Sequence, residues 1–293
     1  MAAASDPLRW KPSDLPTLRA AYSDRTAALM AFFADFAYQT AAGAGPAAVP
    51  IQLATVGFTD LTYFHNGLID GWALIAESPL MIVLAFRGTV SWKNWETNIQ
   101  ARQVNPQKTD LKLRVHEGFD RAFQKLAHSG MSEKIDAIKQ RTGGRVPIYI
   151  TGHSLGGALA QIAAAVFGSD QIAACYTFGS PRVGNAYFDP WVKPPSYRIV
   201  NTADIVPQIP WWPFVYRHSG DPRFLPKHVT STPYRFQPNF LMRAGQFVTG
   251  VFQFFKAGTI LGIEDHHMPG YLDKLDAVAQ ARTQKRRDPA GPE

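Results

Sequence analysis

The stretch Val146-Pro-Ile-Tyr-Ile-Thr-Gly-His-Ser-Leu-Gly-Gly-Ala-Leu-Ala160 decides how this chain folds. Its first half, Val146 to Thr151, is a short apolar, β-branched run of the kind that forms a buried strand. The run breaks at Gly152, and the small residues from Leu155 to Ala160 take up a helical pattern at once. Ser154 stands between, with a glycine two positions before it and another two after. This is the G-x-S-x-G pattern of a strand-to-helix nucleophile elbow. So tight a turn drives its central residue toward strained backbone angles, and only glycine lets strand and helix come so close. The helix N-terminus then offers unpaired backbone N–H groups and a positive dipole end beside the hydroxyl. The same five residues also occur as a glycine-rich turn without chemistry. Here the strand before and the Ala/Gly-rich helix after favour a nucleophile.

Outward from the elbow, the pattern alternates between strands and helices. Ser23 reads as the N-cap of a helix running to about Gln39, with Leu29, Phe32, Phe33 and Phe36 at helical spacing. From Ile51 the pattern turns to β, through Ala54 to Phe58, Gly71 to Ala76 and Leu80 to Phe86, the last continuous enough for a central strand. Val115 to Phe119 opens a further unit, helical through Phe119, Phe123, Leu126, Ile135 and Ile138. Strands follow at Ala173 to Phe178 and from Tyr197 to Thr202, and a last helix begins at about Tyr271. Such alternation predicts a mainly parallel sheet in one α/β domain spanning residues 1–293. Residues 1–22 are expected to lie over the surface, 218–237 to be loop, and 282–293 to be a disordered tail. Residues 238–262 form an apolar insertion, read either as a packed helix or as an interfacial segment.

A serine hydroxyl needs a base, held in one tautomer by a carboxylate. On sheets of this type the chain order is serine, acid, histidine. Asp204, just past a strand in Val200-Asn-Thr-Ala-Asp-Ile-Val-Pro207, is the best acid; its bland reading is an Asx turn. Asp170, Asp189 and Asp221 sit in more exposed contexts. His65, His116 and His128 precede the serine, and His153 is expected to point off the elbow. His266 and His267 open the last helix in the right order, and the residues alone leave both standing. Leu155 N–H supplies one oxyanion donor, and Thr89, after Phe86-Arg-Gly88, is assigned the other. Trp92 and Trp95 share a face of the polar segment 91–98, which reads as core packing or as a lid with an apolar underside. With Trp211 and Trp212 they are candidates to line an acyl groove.

Bulk composition narrows the classes. The single cysteine, Cys175, excludes an internal disulfide framework and a cysteine metal site. No metal or organic cofactor is required by the chemistry above. A net charge of +7 suits an anionic lipid surface, or is simply solvated; no nucleic-acid motif accompanies it. The first dozen residues lack the pattern of a signal peptide, and no stretch is apolar long enough to span a bilayer. We therefore expect a cytoplasmic or peripheral membrane protein, with secretion by another route still open, and the oligomeric state is not readable.

Four motifs together resemble the class 3 lipases, the fungal triacylglycerol lipase type. They are Gly152 to Ala160, Phe86-Arg-Gly-Thr89 with Trp92 and Trp95, Thr177-Phe-Gly-Ser-Pro-Arg-Val-Gly-Asn185, and Asn201-Thr-Ala-Asp-Ile-Val-Pro207 with Pro210. The likeness spans roughly residues 60–272 and includes Tyr216 to Ser219. It implies an α/β-hydrolase fold, a triad of Ser154, Asp204 and a late histidine, Thr89 and Leu155 at the oxyanion hole, and a lid after Thr89. Tyr271, five residues past His266, matches bacterial members and favours His266 as base, with His267 the alternative. The implied activity is cleavage of acyl-lipid esters through an acyl-enzyme. Phospholipase A1 or short-chain esterase activity uses the same triad, and an idle lipid-interface binding protein is the rival from another class.

Overall fold

Strand β6 (Ile148–His153) is buried along its whole length, and its residues divide between two cores. Ile148 and Ile150 enter one, Tyr149 the other. Neighbouring β3 (Ile82–Phe86) alternates in the same way, with Ile82, Leu84 and Phe86 on one face and Val83 and Ala85 on the other. The period of two thus feeds an apolar layer on each side of one sheet. Each fully buried Leu, Ile or Phe contributes about 1.5–3 kcal/mol.

The coordinates are a computed structural model, which describes residues 9–16, 21–41, 49–68, 71–88, 102–106, 110–168, 170–201, 204–210, 215–225 and 266–287. The seven-stranded sheet runs β1 (Asp60–Asn66), β2 (Gly71–Glu77), β3, β6, β7 (Ile172–Phe178), β8 (Ser196–Asn201) and β9 (Asp221–Leu225) in spatial order. β1, β2 and β3 pair antiparallel, and every pair from β3 to β9 is parallel. A two-stranded ribbon joins β4 (Gln103–Val104) to β5 (Val115–His116).

One face carries α1 (Asp24–Ala41) and α6 (Met268–Arg287), through Leu29, Phe33, Phe36, Tyr271 and Leu275. The other carries α3 (Glu117–Leu126), α4 (Ser132–Thr142) and α5 (Leu155–Val166), through Phe119, Phe123, Ile135, Ile138, Leu159 and Ile162. The Ser23 hydroxyl accepts from Thr26 N–H at 3.4 Å, as an N-cap does. Cys175 is buried in β7, where burial pushes its thiol up to about 12.

Several expectations are corrected. Ile51–Thr55 is a short helix, α2, and the chain turns at Gly57 (φ +98°) before β1. The apolar β-branched residues there are too few to pair. β1 itself and β9 fall where no strand was expected. β9 contains Pro222, which an edge strand tolerates because its missing N–H faces no partner. Trp10, Pro12 and Leu15 are buried, and the Trp10 indole donates to Asp276 at 3.2 Å, so this part of the N-terminal segment is anchored on α6. Residues 282–287 continue α6 rather than forming a tail, with Arg282 ion-paired to Asp24 on α1. Thr89, the 91–98 segment with Trp92 and Trp95, Trp211, Trp212, the 238–262 insertion and 288–293 lie outside the described residues.

Candidate active site

Ser154 sits between β6 and α5 with φ 55° and ψ −126°, the one non-glycine residue with positive φ among those described. Holding a side chain there costs about 1–3 kcal/mol, and such strain clusters at functional sites. Its backbone is fixed on both sides. Ser154 N–H donates to Phe178 O at 3.0 Å, and its carbonyl accepts from Gly157 and Ala158 at 3.0 and 3.3 Å. The flanking glycines are steric requirements. A side chain at Gly152 would strike the main chain of Gly156, and one at Gly156 the Phe86 carbonyl. Leu155 opens α5, so its N–H belongs to the first turn, which has no intrahelical acceptor.

Asp204 follows β8 and is 4% exposed. Its two oxygens divide the work. Oδ1 accepts from Val206 N–H at 2.9 Å, an Asx turn that fixes the carboxylate plane. Oδ2 lies 2.8 Å from His266 Nδ1 and accepts from the Tyr271 hydroxyl at 2.6 Å. Asp204 thus makes an Asx turn with one oxygen and faces His266 with the other. Tyr271 is itself held, since its oxygen accepts from Asn201 N–H at 3.0 Å at the end of β8.

Of the two adjacent histidines, His266 is buried against Asp204, while His267 is exposed. A carboxylate only accepts, so Nδ1 of His266 carries the proton and its lone pair lies on Nε2. The imidazole reaches the elbow, for its ring centroid is 4.3 Å from that of His153, the neighbour of Ser154. Gly179 (φ +56°), at the end of β7, closes the cradle. A Cβ there would lie 2.6 Å from Asp204 Oδ2 and 2.9 Å from His266 Nδ1.

The expectation for His153 differs from what is found. Its ring does not leave the site but is buried against His266, with Nε2 2.6 Å from the His266 carbonyl and Nδ1 2.9 Å from the Tyr38 hydroxyl. Burial foremost, and then the neighbouring His266, hold its pKa well below the ordinary value. Nothing in the local pattern of Tyr38 separates it from the core aromatics of α1. Among the described residues no group of three or more His, Cys, Asp or Glu gathers as metal ligands would.

Residues 83–214 match the family described as lipase (class 3). A secreted mono- and diacylglycerol lipase 1 of Fusarium solani is 37% identical over 145 residues, covering 47% of this chain and 42% of the relative. The chain spans about half the length of the curated relatives it matches. Lipase II from Rhizopus niveus superimposes with a TM-score of 0.59 at 26% identity, covering 69% of this chain and 80% of that one. A solved triacylglycerol lipase, described as having a serine protease triad for its catalytic centre, gives 0.59 at 25% identity, covering 70% and 82%. The architecture is that of the α/β-hydrolase fold, as expected.

Proposed function

From the match of residues 83–214 to the class 3 lipase family, we propose that this chain belongs to it and is a serine carboxylic ester hydrolase acting on acyl-lipid esters. The observation that carries the reading is the buried Asp204–His266 pair beside a serine held at positive φ on a helix N-terminus. In the proposed reaction, Ser154 Oγ attacks the ester carbonyl and passes its proton to His266 Nε2. Asp204 keeps the proton on Nδ1 and stabilises the imidazolium that forms. The negative oxygen of the tetrahedral intermediate takes a hydrogen bond from Leu155 N–H, with Thr89 assigned the second donor. Collapse breaks the bond to the leaving alcohol, which takes the proton from His266. Water then repeats the sequence and frees the acid. No step needs a metal or an organic cofactor.

The substrate class is read from the relatives, which are named for mono-, di- and triacylglycerols. The net charge of +7 suits contact with an anionic lipid surface from one side. Among the described residues no helix is long and apolar enough to cross a membrane. We treat the sheet and both helical layers as one domain.

Ser154→Ala and fluorophosphonate labelling test the assignment together. The natural protein should label and hydrolyse esters, and the variant should do neither while keeping its unfolding transition. Turnover that survives in the variant would refute the role of Ser154. A series of acylglycerols, phospholipids and short-chain esters then reads the substrate class, and a preference for phospholipid would move the enzyme to the phospholipase A1 reading.

A further inference from the structure

His153 is 5% exposed, and both of its ring nitrogens are committed. The His266 carbonyl can only accept, so the 2.6 Å contact requires a proton on Nε2 of His153. Nδ1 then holds the lone pair and accepts from the Tyr38 hydroxyl at 2.9 Å. One tautomer satisfies both bonds. Burial, and then the charge His266 gains when protonated, keep this ring neutral.

The Tyr38 hydroxyl packs against Gly88 at the exit of β3, so closely that a side chain at Gly88 would meet it and the His153 carbonyl. Two bonds run in one direction: Tyr38 O–H to His153 Nδ1, and His153 Nε2–H to His266 O. They join α1 to the base, through the residue before the nucleophile. Asp204 orients the imidazole of His266 from its side chain, whereas this chain of bonds holds the same residue by its main chain.

We propose that His153 and Tyr38 are positioning residues that set the angle of the His266 base and tie it to α1. His153 moves no proton in the reaction. The inference rests on reading His266 as the base of a hydrolytic triad. The rival explanation is a satisfied core histidine that only fills space, and the two differ in what fails when the bonds go. A filler affects stability. A positioning residue affects kcat, because displacing a reacting group by about 1 Å can cost on the order of a hundredfold.

The test uses the full chain, a soluble short-chain nitrophenyl ester and four variants. His153→Leu keeps apolar bulk without the bonds, His153→Gln restores an N–H donor toward the carbonyl, Tyr38→Phe removes one hydroxyl, and a double variant combines Leu and Phe. In His153→Leu, kcat should fall about ten- to a hundredfold with KM nearly unchanged. His153→Gln should recover most of that loss although its thermal stability is no higher than that of the Leu variant. The double variant should be no slower than His153→Leu within about twofold, since both changes cut the same chain. Nitrogen-15 shifts of the ring in the natural protein should report the Nε2–H tautomer.

A His153→Leu enzyme within about twofold of natural kcat overturns the inference. So do the opposite tautomer, a rise in KM alone, or a Gln variant that recovers stability but not rate. An inert natural protein would instead refute the hydrolase reading, and this inference with it; an active one whose Ser154→Ala form is dead leaves only the positioning role in question.

Discussion

Gly179→Ala should disable the proposed ester hydrolysis far more than it unfolds the chain. At φ +56° an L side chain costs about 1–2 kcal/mol. Added to this is a collision, because the new Cβ would lie 2.6 Å from Asp204 Oδ2 and 2.9 Å from Cε1 and Nδ1 of His266. Ordinary contact begins near 3.4 Å, so the carboxylate must retreat by about 0.8 Å, taking its imidazole partner with it. Overpacking of this kind costs about 1–3 kcal/mol, against which alanine recovers about 0.4–1 kcal/mol by restricting the unfolded chain. The net loss is roughly 1–5 kcal/mol, while kcat should drop on the order of a hundredfold in molecules that are still folded. Gly143→Ala separates the two contributions. Gly143 has nearly the same dihedral, φ +55°, and a Cβ added there would meet nothing within 4 Å. It should lose only the backbone part, about 1 kcal/mol, and keep full activity. Urea unfolding gives the stabilities, and ester turnover per folded molecule gives the rates. If Gly179→Ala matches Gly143→Ala in both, the cradle around Asp204 and His266 is not sterically tight and the geometry is wrong.

Three further outcomes are expected. Tyr271→Phe removes the donor to Asp204 Oδ2 and an acceptor for Asn201 N–H, so stability should fall by about 1–3 kcal/mol, read from the urea midpoint. His153 has a folded pKa well below its ordinary 6.5, so the unfolded chain binds the extra proton. Its contribution is complete above that value and lost as pH falls, at up to about 1.4 kcal/mol per pH unit for one proton. His153→Leu should therefore flatten the acid limb of stability against pH, and an unchanged limb would contradict a neutral buried ring. Finally, Glu77 is buried beneath Lys134 and Arg141. Burial opposes the Lys134 charge, but its hydrogen bond and attraction to Glu77 prevail and raise its pKa. Stability from the pair is thus present at neutral pH and lost only as pH climbs past 10.5 through the raised value. Lys134→Met should remove that alkaline loss, and a stability curve that keeps it would assign the loss elsewhere.

The elbow was legible because its evidence is local: a period of two gives way to a helical pattern across three residues, and glycines mark the places where the main chains nearly touch. Asp204 was legible from chain order and its place at a strand end. The choice of His266 over His267 rested only on the Tyr271 spacing that the resemblance supplied, because neighbours at a helix start differ by about 100° in direction. Which one faces Asp204 depends on how α6 docks against α1 and the sheet, a contact between residues more than two hundred apart in sequence. β9 was hidden for a related reason. Its five residues carry a proline and charged groups, and only the waiting edge of β8 makes them a strand. Tyr38 has the same spacing as the aromatics that fill the core, so its hydroxyl announces nothing until the fold brings His153 beneath it.

The proposed base, His266, stands just ahead of α6. Among the described residues, three groups hold it. Asp204 takes Nδ1–H, His153 takes the carbonyl, and Tyr271, on the first turns of the same helix, binds both the acid and the end of β8. His153 is the last residue of β6 and also meets α1 through Tyr38, Asp204 follows β8, and Tyr271 reaches Asn201 of β8. Because α6 is buried against α1 through Leu275 and Ala279, a shift of that helix would disturb all three anchors together. The geometry of the base is therefore a property of helix–sheet docking, and substitutions deep in the α1–α6 contact, far from any substrate, should lower kcat before they unfold the protein.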